Sequence, residues 1–252
     1  MRIRIASREF APRAFTTVLT VVVFAALIAL GRWQVRRAAE TQRLWDQFAA
    51  GSDATIGVDA ATPPLARFRH VTLRGRYDAA HQVLIEGMES PDGRTGDYVL
   101  TPFALVGGGW ILVDRGWVAA GPDNRPVQDL SVGADLRTLR GRADDLPRPG
   151  LRLGGGAPLA PPFPVLALYP RHADLAALLK GQPLVAAAPQ VLLDPDQTDG
   201  YLRHWTPPGF PPMRYTAYAV QWFGLALTLL VIYVVTNLRP AQSEPAPKDG
   251  SR

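Results

Sequence analysis

Three aromatic side chains near the end of the chain have the spacing of a working surface. Tyr215, Tyr218 and Trp222 fall at i, i+3 and i+7, so a helix through them carries three rings on one face, with Arg214 at its mouth and Gln221 close by. Rings, a guanidinium and an amide suit docking rather than bond breaking. For Tyr215 and Tyr218 the alternative is an aromatic belt at a membrane surface. Gln221 lies nearly two turns into an apolar run, where an amide exposed to lipid is costly and seeks a partner. Gln34, next to Trp33 at the corresponding end of an earlier apolar run, is the natural candidate. Such an amide pair adds only about 0.6 kcal/mol, so it specifies helix pairing more than it stabilises it.

Catalytic constellations are missing at recognisable spacing. There is no G-x-S-x-G, no H-E-x-x-H and no phosphate-binding glycine loop, so the chain is expected not to be an enzyme, and a membrane enzyme would have no nameable residues. In Val113-Asp114-Arg115-Gly116-Trp117 an acid adjoins a base, which reads as an ion pair at a strand end. His70, His81, His172 and His204 are isolated in sequence and read as surface or partner-contacting side chains rather than ligands. With no cysteine and only Met1, Met88 and Met213, the soft donors that Cu(I) prefers are lacking, so no metal site is expected and copper delivery is disfavoured.

The elements that must position these residues begin with two uncharged runs. Phe15–Gly31 lies between Arg13 and Arg32, and Tyr215–Leu238 between Arg214 and Arg239. As helices they would span roughly 25 Å and roughly 36 Å against a hydrocarbon core of about 30 Å, so both can cross a bilayer. The rival for the first is a cleaved signal peptide, although no small-x-small cleavage site follows it. The rival for the second is a buried core helix, against which its length argues.

The formal charge of +5 divides unevenly. Arg32 to Met213 holds 19 basic and 19 acidic residues, and the excess sits in the first thirteen residues, at Arg214 and after Leu238. Short basic tails favour the cytoplasm. The expected organisation is therefore a cytoplasmic tail (1–14), a first membrane helix (15–31, continuing as helix to about 50), a periplasmic β-rich domain (52–213), a second membrane helix (215–238) and a disordered cytoplasmic tail (239–252). Arg32, Arg36, Arg37 and Arg43, just beyond the first run, oppose this orientation. The charge-neutral central part also argues against a nucleic-acid partner.

Between the runs the pattern turns to strands. Val71, Leu73 and Tyr77 alternate with polar neighbours, QVLIEG follows, and YVLTPFALV and WILVDRGWV flank Gly107-Gly108-Gly109 as a hairpin. RTLRGRADD and PQVLLD add two more strands, and HADLAALLKG is a short helix ending at Gly181. Ser52 to about Pro64 reads as a loop, and TPPGFPP as a stiff lead-in to the second run. The fold class is α+β: N- and C-terminal transmembrane helices flank an antiparallel, barrel-like β-rich domain with a short inserted helix.

LGRWQVRRAAE, the region VTLRGRYD through TPFALVGGGWILVDRGWV, and YAVQWFGLALTLLVIY resemble, in the same order, the Surfeit locus protein 1 family of cytochrome c oxidase assembly factors. The resemblance implies a bacterial inner-membrane protein with two spans and an outward domain. Such a protein assists insertion of heme a into the largest oxidase subunit, with that subunit and heme a synthase as partners. Family members thought to bind heme a carry a histidine as axial ligand in a pattern like R-H-x-x-Y-x-x-Q-W. Here Arg214-Tyr215-Thr216-Ala217-Tyr218-Ala219-Val220-Gln221-Trp222 places Tyr215 at that position. A tyrosine must lose a proton of pKa near 10 to ligate iron, which leaves open ligation, stacking on the porphyrin, or no heme contact.

Overall fold

The structure is a computed structural model in which residues 3–5, 8–10, 12–50, 55–121, 126–148 and 158–240 are described. The expected helix stop at Gly51, the triple glycine 154–156 and the tail 241–252 lie outside these. The chain divides into two compact units, one of residues 1–46 with 208–252 and one of residues 47–207.

The first unit is built on α1 (Ala14–Ala50) and α3 (Pro212–Asn237), each long and apolar enough to cross a membrane. At about 1.5 Å per residue, 37 residues make a rod of about 55 Å, so α1 outruns any hydrocarbon core by several turns. Pro212 opens α3 in the first turn, where a missing N–H breaks no helical hydrogen bond. A small sheet lies at the other ends of both helices: β1 (Ile3–Ile5), β2 (Arg8–Phe10) and β11 (Leu238–Pro240) run antiparallel in the order β1-β2-β11. Arg239 and Pro240, expected in a disordered tail, are thus strand residues. Isolated propensity did not show this because the pairing joins the two ends of the sequence.

The second unit holds β3 (Ile56–Gly57), β4 (His70–Tyr77), β5 (Val83–Glu89), β6 (Thr95–Leu105), β7 (Trp110–Ala119), β8 (Arg137–Asp144), β9 (Val165–Ala167), α2 (His172–Leu178) and β10 (Gln190–Leu193). The order β3-β4-β8-β10-β7-β6-β5-β9, with β4 also paired to β6, closes β4, β8, β10, β7 and β6 into a five-stranded ring. The molecule is therefore α+β, with two candidate membrane helices flanking a barrel-like sheet domain. Most pairings are antiparallel, but β7–β10, β5–β9 and β3–β4 are parallel. β3 falls inside the segment expected as loop, where two residues are too few to show an alternation.

β6 makes the closure. It pairs β5 as far as Leu100 and β4 from Phe103, and Pro102, with no N–H to give to a neighbour, stands at the changeover. On β4 the expected alternation is realised: Val71, Leu73 and Tyr77 are buried while Arg74 and Arg76 are exposed. Those three join Phe103, Ile111, Val113, Leu139, Val191 and Leu193 in the ring interior. The opposite face of the β6–β7 hairpin puts Leu100, Leu112 and Trp117 against Val83, Ile85 and Leu175 of α2, so both hairpin strands are buried on two sides. In its turn Gly109 has φ +77°, and a Cβ there would lie 2.5 Å from Val185. Glycine is the residue that fits.

Candidate functional site

Within the first unit α1 and α3 run antiparallel and meet at separate points. The Thr17 and Tyr233 hydroxyls are 2.7 Å apart, Phe10 meets the Tyr233 ring edge-on at 6.0 Å, and further along Gly31 faces Phe223. A Cβ on Gly31 would lie 2.6 Å from that ring. Gly31 therefore does more than close an apolar run. Gly31, Ala219 and Ala226 are buried, and small residues of this kind allow the close van der Waals packing that holds helices together where the surroundings are lipid.

The pairing brings the sequence-selected residues to the end where α3 begins and α1 leaves its apolar run. Tyr215 is half-buried, its ring tilted against Phe210 at 6.4 Å, and its hydroxyl faces the Arg37 guanidinium, which also donates to Glu40 at 3.1 Å. Arg214 is exposed and lies 4.1 Å over the Phe210 ring, within the range of a cation–π contact. Trp222 is half-buried, while Tyr218 is 40% and Trp33 56% exposed. The three rings thus form a ridge from the helix contact to the outer surface. Sequence reasoning missed two members. Phe210 sat in the proline-rich lead-in, and Arg37 was one arginine among four; only the helix register singles it out.

The Gln34–Gln221 pair is corrected. Gln34 is buried, but its amide oxygen has no hydrogen-bond partner, and Gln221 is exposed. Gln221 comes two residues after buried Ala219, about 200° round the helix, and so points away from α1.

A second correction concerns Asp114 and Arg115. They are no ion pair at a strand end: both are buried inside β7 and, as successive strand residues, point to opposite sides. Arg115 donates to the carbonyl of Asp199 at 2.7 Å, to that of Leu130 at 3.1 Å and to Gln82 Oε1 at 3.3 Å, and lies over the rings of Tyr77 and Tyr201. Asp114 accepts only from the Gly116 N–H at 2.9 Å, its second oxygen having no partner. Burial pushes its carboxyl up to about 8. Gly116 has φ +109° with the Leu202 carbonyl 2.8 Å from where a Cβ would be, and Trp117 donates to the Met88 carbonyl at 3.0 Å. The motif is a hub of the barrel, which one strand's sequence cannot reveal because its partners come from residues 82, 88, 130 and 199–202.

The histidines stay apart. His81 Nδ1 is 2.7 Å from Asp78, His172 opens α2, and His204 lines a small cavity of about 210 Å³ with Glu89, Tyr98 and Trp117. No group of three metal-ligating side chains occurs among the described residues.

Axial ligation of heme a can be tested against this donor set. α1 and α3 carry no histidine, and the Tyr215 hydroxyl is turned to Arg37 with its ring against Phe210. These residues do not fit an iron ligand site. They offer ring faces and cationic groups instead.

The chain combines one unit of two paired helices, each long and apolar enough to cross a membrane and with aromatic and cationic residues at one end of the pair, and a second unit built on a five-stranded barrel, a make-up consistent with a membrane protein in class. Residues 21–227 match the SURF1 family, and the chain belongs to that family, whose members are known generally as cytochrome oxidase assembly factors rather than enzymes. It is similar to uncharacterized SURF1-like proteins of Mycobacterium bovis and Mycobacterium tuberculosis, each 25% identical over 254 residues that cover 92% of this chain and 87% of the relative.

Proposed function

We propose that the protein is a non-enzymatic assembly factor for a heme-copper cytochrome c oxidase of the bacterial inner membrane. It has both termini in the cytoplasm and the barrel in the periplasm. Its task is to steady the largest oxidase subunit while heme a is inserted, working beside heme a synthase. The observation that carries this reading is the ridge Tyr215–Trp222–Tyr218, with exposed Trp33 on α1, at the end of the helix pair where α3 begins. Large, partly exposed rings there suit a transmembrane partner, since aromatics bury much area at little conformational cost. The family membership supports the same process. The test is oxidase heme content in a deletion strain, together with recovery of the largest subunit on the tagged full-length protein. Normal maturation without the protein would overturn the proposal, and reporter fusions near Gly121 read the topology separately.

A second reading, direct contact with heme a, is favoured by the exposed ring of Tyr218 beside the cationic Arg214. In it the porphyrin would stack on the ridge and its carboxylates would meet Arg214, without ligation by Tyr215. Absorption spectra of the protein purified from cells that make heme a discriminate the two. Bound heme favours the second reading, and a heme-free protein that still holds the largest subunit favours the first. A large gain of bound heme in Tyr215→His would mark the ridge as a heme site short of one ligand.

A further inference from the structure

Four arginines follow the first apolar run, and the structure separates them into two kinds. Arg37 is engaged with Glu40 and faces Tyr215. Arg32, Arg36 and Arg43 are exposed and have no hydrogen bond or ion pair among the described residues. At 100° per residue these three fall within roughly 40° of one another, on one stripe of α1. The same stripe, followed back into the apolar run, is Val18 and Val21, each more than half exposed, beside Ala25 and Ala29. It lies away from Gly31, Gln34 and Thr41, the residues that α1 buries. One unbroken strip thus passes from apolar to cationic at Arg32, with exposed Trp33 at the boundary.

We infer that Arg32 and Arg36 form a site for the headgroup of an anionic phospholipid in the periplasmic leaflet. The inference rests on the membrane reading proposed above. Arg32 adjoins the last apolar turn and Arg36 stands about 6 Å further along the axis, so both guanidiniums reach the level of lipid phosphates, where Arg binds two oxygens at once. The acyl chains of the same lipid would run down Ala29 and Ala25 as far as Val21, about 16 Å from Arg32 and so about the depth of one leaflet. Arg43 is about 16 Å from Arg32 along the axis, beyond the headgroups and about a Debye length from their charge, so it contributes little. Cationic residues on this side oppose the rule that sets orientation, and lipid recognition gives them a use that offsets the conflict.

The test uses the full-length protein in mild detergent, with native mass spectrometry counting retained phosphatidylglycerol against phosphatidylcholine of the same acyl chains. The wild type is expected to prefer phosphatidylglycerol by about thirtyfold, from two guanidiniums near the phosphate. Arg32→Gln with Arg36→Gln should bring the preference within about twofold. Arg43→Gln should leave most of it, and Arg32→Lys with Arg36→Lys should retain part. Equal retention of both lipids by the wild type overturns the inference without any variant. So do a preference unchanged in the double Gln variant, loss in Arg43→Gln as large as in Arg36→Gln, and displacement by free glycerol phosphate. Double Gln variants that fail in oxidase maturation yet keep the lipid preference would point to an acidic protein partner and overturn it too. A chain that fractionates without detergent would sink the membrane reading itself, a result distinguishable from all of these.

Discussion

Replacing Asp114 by Asn should flatten the pH dependence of stability and stabilise the protein at alkaline pH. Asp114 is fully buried in β7 with one oxygen bonded to the Gly116 N–H and the other unpartnered, and burial lifts its carboxyl from the ordinary 3.8 to about 8. Folding therefore favours the protonated form. Its contribution is complete below about pH 4, falls as pH rises, and is lost once pH passes about 8, where the folded barrel must hold a buried charge. The slope over that window is about 1.4 kcal/mol per pH unit, on the order of 5 kcal/mol across it. Asn keeps the acceptor for Gly116 and never ionises. Urea unfolding of the full-length protein in detergent, followed by tryptophan fluorescence from pH 5 to 9, reads both curves. The wild type should lose stability towards pH 8 relative to Asp114→Asn, and the variant should be the more stable above it. Parallel curves, or a variant weaker than wild type at pH 9, would refute the reasoning.

Gly31→Leu, whose Cβ would enter the Phe223 ring, should force α1 and α3 apart and lower the unfolding free energy in detergent by about 1–3 kcal/mol; an unchanged free energy would show that the contact is not tight. Gly116→Ala must adopt φ +109° against the Leu202 carbonyl and should cost about 1–3 kcal/mol in urea unfolding, where a neutral outcome would contradict the geometry. Arg115→Met removes three hydrogen bonds, leaving the Leu130 carbonyl to Gln82 and Gln82 Oε1 to Thr101 while the Asp199 carbonyl loses this donor, and should cost about 3 kcal/mol, measured in the same way. Tyr218→Ala should leave the unfolding curve in place, because the ring is 40% exposed, while recovery of the largest oxidase subunit falls several-fold; equal recovery would count against the ridge as the docking surface.

On the membrane reading proposed above the helix pair and the barrel meet different solvents, and that difference separates their energetics. In the barrel, burial of Val71, Phe103, Ile111 and their neighbours removes apolar surface from water, at about 25 cal/mol per Å². Along α1 and α3 the exposed Val18, Val21, Leu227 and Val235 stay exposed in the fold, because their proper surroundings are lipid chains. Packing at Gly31 and the Thr17–Tyr233 hydroxyl contact must therefore set which faces of the helices meet.

By itself the sequence determined the features that depend on local pattern. Two uncharged runs bounded by arginine specify helices of membrane-crossing length, the alternation from Val71 to Tyr77 specifies β4, and the glycines after Val106 specify the hairpin. Each is legible because periods of 3.6 and 2 are written in neighbouring residues. Only the tertiary structure decided which of these elements meet. Ring closure through the changeover at Pro102, the parallel seating of β10 on β7, the approach of Arg37 to Tyr215 and the turning away of Gln221 all join residues far apart in sequence or settle a helix's rotation. Asp114 and Arg115 make the same point. Adjacency in sequence suggested an ion pair, but a strand sends successive side chains to opposite faces, so only the packed barrel could say what each one touches.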